Sequence, residues 1–281
     1  MRENEGAATG RPPSDMTVHF LNCFTCNART PVHLRTGALC LLIETNRGLV
    51  LVDTGLGQED YVHKPGILRL FQVITIVPLD PDEAAVRQVA ALGYKAKDVH
   101  DIVLTHMHFD HCGGLADFPD ARVHVHRREY EAFRGPLRRW TDMAYVRRHI
   151  AHRPEFLLYE ETGDRWLDFP AICLPFEPEI WLVPLFGHTR GLCGVTVQTG
   201  RGWLFHISDA GDIGSTAKPP AWLVRLVLGP HTPRLRQFKL AHPEVQMTSG
   251  HMPLDFFEDR AEERFSARDS GDRWWYSESG E

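Results

Sequence analysis

Thr105-His106-Met107-His108-Phe109-Asp110-His111-Cys112-Gly113-Gly114 sets three imidazoles and a carboxylate within six positions, directly behind the apolar run Ile102-Val103-Leu104. A short buried strand that ends in a loop dense in ligands is a rigid way to fix a metal. On an extended chain His106 and His108 alternate, so both can point to one side. Asp110 and His111 turn away with the chain and can reach a second point close by. Gly113 and Gly114 let the backbone leave that crowded loop and enter a helix. Sixteen histidines among 281 residues make some clustering expected. A complete His-x-His-x-Asp-His at a strand end, however, has the spacing of metal ligands, and a polar surface loop has no need of it.

The same arrangement recurs further on. Residues 179–185 read as a strand and lead into Gly187-His188-Thr189-Arg190-Gly191. Residues 203–207 close a hairpin with 194–199 and lead into Ser208-Asp209-Ala210-Gly211-Asp212. Residues 245–248 read as a last strand before Ser249-Gly250-His251. Upstream, residues 39–45 and 49–53 form a hairpin signal around Asn46-Arg47-Gly48, and the second run ends in Asp53-Thr54-Gly55. Each candidate ligand follows an apolar strand, and that recurrence is stronger than any one motif.

Between these points, residues 16–21 read as a first strand and 61–77 as an irregular apolar stretch with a short helix. Residues 81–92 read as a helix capped by Asp80, 99–104 as the strand feeding the ligand loop, and 122–126 as the strand after it. His124 and His126 imitate the His-x-His spacing, but no carboxylate follows in step, so both read as structural. Residues 127–152 are strongly basic and read as a helical insertion near the site's mouth, with Trp140 and Tyr145 interleaved. Residues 1–15 read as a disordered leader, 16–257 as one domain, and 258–281 as a frayed tail in which Trp274-Trp275-Tyr276 could dock.

Composition narrows the function classes. The net charge of −6 argues against a nucleic-acid partner, which requires a basic face. No run approaches the roughly 18 apolar residues of a membrane span. The polar, Gly/Pro-containing N-terminus lacks the apolar core of a secretory signal, and the six cysteines fall at irregular positions. A cytoplasmic, reduced protein is expected. Cys23-Phe24-Thr25-Cys26 has no second cysteine pair and reads as structural.

The motif set resembles the metallo-β-lactamase superfamily over residues 38 to 253. The resemblance implies an α/β fold: an αβ/βα sandwich of two mixed sheets flanked by helices. It also implies a dinuclear metal site. His106, His108 and His188 would hold one cation, Asp110, His111 and His251 a second, and Asp209 would bridge them. Asp53 would buttress a ligand loop. Two Zn²⁺ suit these donors, and Fe, Mn or Co would also be accommodated. Two cations sharing a water lower its pKa from about 15.7 toward about 7. The reaction implied is hydrolysis by attack of that bridging hydroxide, with Asp110 and Asp209 as the catalytic carboxylates.

Within the superfamily the stretch 41–57, the helix with Leu92-Gly93, and the stretch 101–118 together are most similar to the N-acyl-homoserine lactone lactonases. That branch implies opening of a lactone ester, a quorum-quenching reaction, with an apolar groove for the acyl chain. Phe71, Ile74, Phe109, Met143, Leu223 and Leu226 are candidates to line it. Asp209 stands where zinc β-lactamases carry Cys, which disfavours antibiotic hydrolysis. Several lactonases place a substrate-binding Tyr three residues after the bridging Asp. Here that position is Asp212, so Tyr145 or His231 would have to supply the donor, or another ester, thioester or phosphotriester would be the substrate. A metal-binding protein without turnover would be expected to lack a ligand, and none is missing. The partner expected is a small-molecule lactone or ester, with no nucleic acid and no membrane; a homodimer stays open.

Overall fold

The chain is described here by a computed structural model covering residues 17–28, 35–213 and 220–258. The expected leader, and Trp274-Trp275-Tyr276 in the expected tail, lie outside the described residues.

The first sheet contains β1 (Val18–Ala28), β2 (Arg35–Thr45), β3 (Gly48–Val52), β4 (Thr75–Ile76), β5 (Val99–Val103), β6 (Arg122–His126) and β7 (Phe156–Tyr159), in the order β4-β1-β2-β3-β5-β6-β7. β1, β2 and β3 pair antiparallel, while β3, β5, β6 and β7 run parallel. A small hairpin, β8 (Arg165–Trp166) and β9 (Phe169–Pro170), precedes the second sheet. That sheet orders β10 (Ile172–Cys173), β11 (Ile180–Pro184), β12 (Cys193–Thr199), β13 (Gly202–His206) and β14 (Gln246–Thr248) side by side. β15 (His251–Pro253) crosses back and pairs with the start of β2.

The apolar runs are continuous because the strands are covered on both faces. On β2, Leu39, Leu41 and Ile43 face the second sheet, where they meet Leu182, Val195 and Val197. Cys40 and Leu42, on the opposite face, pack in the cluster that holds Ala85 and Val89 of α3 (Ala85–Ala91) and Ala132 and Phe133 of α5 (Arg127–Arg134). On the outer face of the second sheet, Val183 and Phe205 meet Leu235 and Phe238 of α7 (Thr232–Ala241). The layers are therefore helix, sheet, sheet, helix, which is the expected αβ/βα sandwich. Full burial of one such Leu is worth roughly 1.5–3 kcal/mol, so these two-faced strands supply the rigidity on which the site depends.

Several local expectations change. β1 runs past Leu21 to Ala28 and takes in the Cys23-x-x-Cys26 pair, whose thiols are free. Residues 61–77 hold the end of α1 (Gln58–Val62), then α2 (Gly66–Ile74) and β4. Asp80 accepts the Asp82 N–H at 3.0 Å as expected, but Pro81–Glu83 is a 3-10 turn and α3 begins only at Ala85. The expected helix over 127–152 is short: α5 ends before Gly135-Pro136, where proline supplies no N–H to continue it. Two 3-10 turns, Trp140–Ala144 and Arg147–Ile150, complete the segment.

Candidate metal centre

The candidate ligands sit at the carboxyl ends of strands from both sheets. β5 feeds the loop carrying His106 and His108, and α4 (Phe109–Cys112) carries Asp110 and His111. β11 leads to His188, β13 to Asp209 and β14 to His251. The backbone N–H of Cys193, at the start of β12, bonds Thr105 O at 2.9 Å and ties the two sheets together beside the ligand loop. All seven residues that the sequence nominated converge. Their donor atoms fall into three overlapping groups, each within 4.8 Å: His106/His108/His188, His106/His111/Asp209 and Asp110/His111/His251.

The hydrogen bonds behind the rings fix which nitrogen faces the cluster. Asp53 is fully buried and accepts the Thr105 N–H at 2.8 Å, the Thr105 hydroxyl at 2.7 Å and His111 Nδ1 at 2.8 Å. The Thr105 oxygen in turn lies 3.1 Å from His106 Nδ1 and 2.8 Å from Ser208 Oγ. Since the Thr105 proton is committed to Asp53, His106 Nδ1 carries its own proton and donates. His188 Nδ1 donates to Val227 O, at the C-terminal end of α6 (Ala221–Leu228), across 2.6 Å. A mutual close approach of Gly187 and Gly229, with Gly229 at φ +89°, brings that helix end so near. His106, His111 and His188 thus each present Nε2 as a lone pair. His108 faces the cluster with Nδ1, 3.0 Å from His188 Nε2.

These donors fit a metal better than they fit one another. His106 Nε2 and His111 Nε2 are buried without any hydrogen-bond partner, a situation that costs about 1–3 kcal/mol per group when nothing takes the lone pair. Asp209 Oδ2 lies 3.4 Å from His188 Nε2 and 3.6 Å from both His111 Nε2 and His251 Nε2; Asp110 Oδ2 lies 3.5 Å from His251 Nε2. Such contacts are long for charge-assisted hydrogen bonds. They match the edges of a coordination polyhedron: ligands about 2.1 Å from a cation are about 3.4 Å apart in a tetrahedron and about 3.0 Å in an octahedron. Gly250 makes the packing possible, because a Cβ there would sit 2.2 Å from Asp209 Oδ1.

Electrostatics divide the imidazoles. Burial holds His106 and His108 neutral. Against burial, Asp53 and Asp209 push His111 well above the usual imidazole range, and Asp209 and Asp110 bring His251 to about 10, so that a cation binding there would displace their protons. Burial pushes His106 and His108 well below the usual imidazole range, and His188 beside His108 and His111 beside His106 push them further. Burial alone would raise the Asp110 carboxyl, but His251 and His111 outweigh it and hold it at about 2. The same opposition leaves Asp209 well below the usual carboxylate range.

A further carboxylate escaped the sequence reading. Glu129, in the first turn of α5, is fully buried and accepts from Met107 N–H, Tyr145 O–H, Thr189 O–H and Gly191 N–H at 2.9, 3.0, 2.7 and 3.0 Å. In sequence it is one more acid in a basic segment. Asp60 is similar: buried, it receives Arg148 at 2.5 Å and His149 at 3.0 Å, and it anchors the 127–152 segment beside α1.

The candidate substrate contacts are placed differently from the ligands. Phe109 is buried in a cluster with Phe24 and Phe71, edge to face with both. The Tyr145 hydroxyl is committed to Glu129, although its ring lies 5.3 Å from the His108 ring. His231 Nε2 bonds Phe186 O at 2.9 Å, and the Asp212 carboxylate receives Arg236 at 2.8 Å. Phe71 is half-buried, whereas Met143, Leu223 and Leu226 are exposed. His124 and His126 are structural as expected. His124 bridges Asp101 and Tyr159, and His126 caps α5 by accepting the Arg128 N–H.

Comparison with known proteins agrees with this geometry. The family model of the metallo-beta-lactamase superfamily matches residues 34–202. Proteins of Mycobacterium bovis and Mycobacterium tuberculosis named probable metallo-hydrolase are 42% identical over 205 residues, which is 71% of this chain but 63% of theirs. An N-acyl homoserine lactonase of a Bacillus species is 36% identical over 166 residues, 58% of each chain. Among solved structures, an N-acyl homoserine lactone hydrolase with N-hexanoyl-L-homoserine bound at its catalytic metal center superposes with a TM-score of 0.63 at 23% identity, covering 85% of this chain and 94% of that one. At that identity the likeness establishes the fold. With the profile spanning more than half of its length, the chain belongs to the metallo-β-lactamase superfamily.

Proposed function

We propose that this chain is a metal-dependent hydrolase that opens a lactone ester, with an N-acyl-homoserine lactone as the substrate class. The observation that carries the hydrolytic reading is Asp209, whose Oδ2 is within 3.6 Å of His188 from the three-histidine group and of His111 and His251 from the group that contains Asp110. In this reading His106, His108 and His188 would hold one cation and Asp110, His111 and His251 another, with Asp209 standing between the two groups. Two divalent cations bound there, Zn²⁺ by donor chemistry, would supply an acidified water and Lewis-acid polarisation of the ester carbonyl. Asp110, held ionised beside His251, accepts the nucleophile's proton and returns it to the leaving alkoxide. The lactone assignment draws support from the named activity of the Bacillus relatives.

One observation favours a second reading, an ester, thioester or phosphotriester hydrolase of the same superfamily. Asp212 is clamped by Arg236, and the hydroxyl of Tyr145 and Nε2 of His231 are engaged within the protein. The discriminating experiment is elemental analysis of the purified protein beside a proton-release assay. The panel holds short- and long-chain homoserine lactones, simple γ- and δ-lactones, an aryl ester, a thioester and paraoxon. Two metals per chain with lactone-dominated turnover is the expected result. Preference for the phosphotriester or thioester would move the chain to the second reading, and protein free of metal yet fully active would overturn both.

A further inference from the structure

Asp53 braces the ligand loop from one side, through Thr105 and His111. From the other side Glu129 does the same for a set of ligands that shares only His106 with it. Its Oε1 accepts the N–H of Met107, the residue between His106 and His108. Its Oε2 accepts the Thr189 hydroxyl and the Gly191 N–H, the first and third residues after His188. The fourth donor, the Tyr145 hydroxyl, belongs to a residue whose ring lies against the His108 ring. The approach is tight, since a Cβ at Gly191 would sit 2.2 Å from Glu129 N. The His188 loop therefore lies directly on the first turn of α5.

We infer that Glu129 is a positioning residue for the three-histidine half of the metal centre. It holds the loops carrying His106, His108 and His188 in register with each other, and it sets how firmly that half retains its cation. The inference rests on the metal-binding reading above. Its physical basis is acceptor geometry. Four donors converge on one carboxylate, two on each oxygen, and they come from the ligand loop after β5, the loop after β11 and the 136–145 segment. A neutral amide of the same shape cannot satisfy that arrangement, because its NH₂ would face two donors. Glu129 is buried, and among the described residues no cationic side chain hydrogen-bonds to it. A bound cation at the neighbouring histidines would be the nearby positive charge that favours its ionised form.

The test is Zn²⁺ competition against a chromophoric chelator, with elemental analysis after dialysis, on the full chain and its variants. Wild type should hold two equivalents. Glu129→Gln should hold one about as firmly as wild type and release the other on the order of 10–100-fold more readily, the usual effect of removing a partner behind metal ligands. Asp53→Asn, which disturbs both His111 and the Thr105 hydroxyl behind His106, should weaken both equivalents, so the two single variants should differ in that only Glu129→Gln spares one cation. Adding Asp110→Ala to Glu129→Gln should strip the remaining equivalent. If Glu129→Gln proves unable to fold, Thr189→Val removes a single donor from the same carboxylate and should weaken the same equivalent. Glu129→Gln retaining both cations as wild type does, or losing both in parallel with a lower melting temperature of the metal-free protein, would overturn the inference. Wild type without any bound Zn²⁺ would instead fail the metal reading itself, and the control distinguishes the two failures.

Discussion

The His111 Nδ1–H donates to Asp53 Oδ2 across 2.8 Å, from a position at which the Asp53 backbone is held at φ +57°. Positive φ is uncommon outside glycine and is best tolerated by Asn and Asp. Asn in place of Asp53 therefore preserves the backbone and tests the carboxylate alone. An amide presents NH₂ to one of the donors that Asp53 now accepts, so Thr105 and His111 cannot both be satisfied. Asp53→Asn is expected to fold and to bind metal 10–100-fold more weakly. Chelator competition beside a thermal melt measures this; unaltered metal affinity would show that Asp53 merely completes the loop.

Gly250 tests crowding rather than charge. A methyl group at this position would meet Asp209 Oδ1 at 2.2 Å, and the Gly250 N–H and C=O are both held, by Ser208 O and Leu39 N. The backbone cannot retreat easily, so the Asp209 carboxylate must turn. Gly250→Ala should lose most bound metal and most turnover. Metal content and activity at wild-type levels would mean that Asp209 can move without consequence.

The pH dependence of stability has a source beneath the site. Burial of His206 lowers its pKa from 6.5 to about 4, and its Nδ1 meets Thr248 Oγ1 at 3.1 Å. The unfolded chain then binds the extra proton throughout the window between about 4 and 6.5, so stability rises with pH across that window. Relative to neutral pH, acidification to about pH 4 should cost roughly 3 kcal/mol from this residue. His206→Asn should flatten the slope of unfolding free energy between pH 6.5 and 4, in denaturant titrations of chelated protein. An unchanged slope would place the acid sensitivity elsewhere.

Much of this was legible in the sequence because the ligands are local to strand ends. His106, His108, Asp110 and His111 share one loop, and His188, Asp209 and His251 each follow a run that reads as a strand. Asp53 was reachable by the same logic. Glu129 was not: its partners Met107, Tyr145, Thr189 and Gly191 lie on three separate segments, and nothing in Arg127-Arg128-Glu129-Tyr130 signals a buried acid. The substrate contacts failed for a related reason. Residue type suggests what Tyr145, His231 or Asp212 could donate or accept, but only the fold shows that Glu129, Phe186 O and Arg236 already engage them. Phe109 looked like a groove residue beside the metal loop, yet the α4 turn directs it into the core with Phe24 and Leu68.

Tyr145 separates an internal from a substrate-facing hydroxyl. Its O–H donates to Glu129 Oε1 at 3.0 Å, and the residue is 7% exposed. Removal of the hydroxyl by Tyr145→Phe keeps the ring against His108 and Phe133 and leaves Glu129 with three donors. A hydrogen bond to a charged acceptor contributes about 1.5–3 kcal/mol, so a drop in unfolding free energy of that size is expected. If the hydroxyl serves only Glu129, KM for a homoserine lactone should stay within a few-fold of wild type, because no donor to the substrate has been lost. Loss of a direct hydrogen bond to the reacting carbonyl would instead lower kcat/KM by 10-fold or more at unchanged metal content, since about 1.4 kcal/mol is a factor of ten. Steady-state kinetics on Zn²⁺-loaded protein, with metal content measured on the same sample, decides between the two. The larger loss would return Tyr145 to the substrate side of the site.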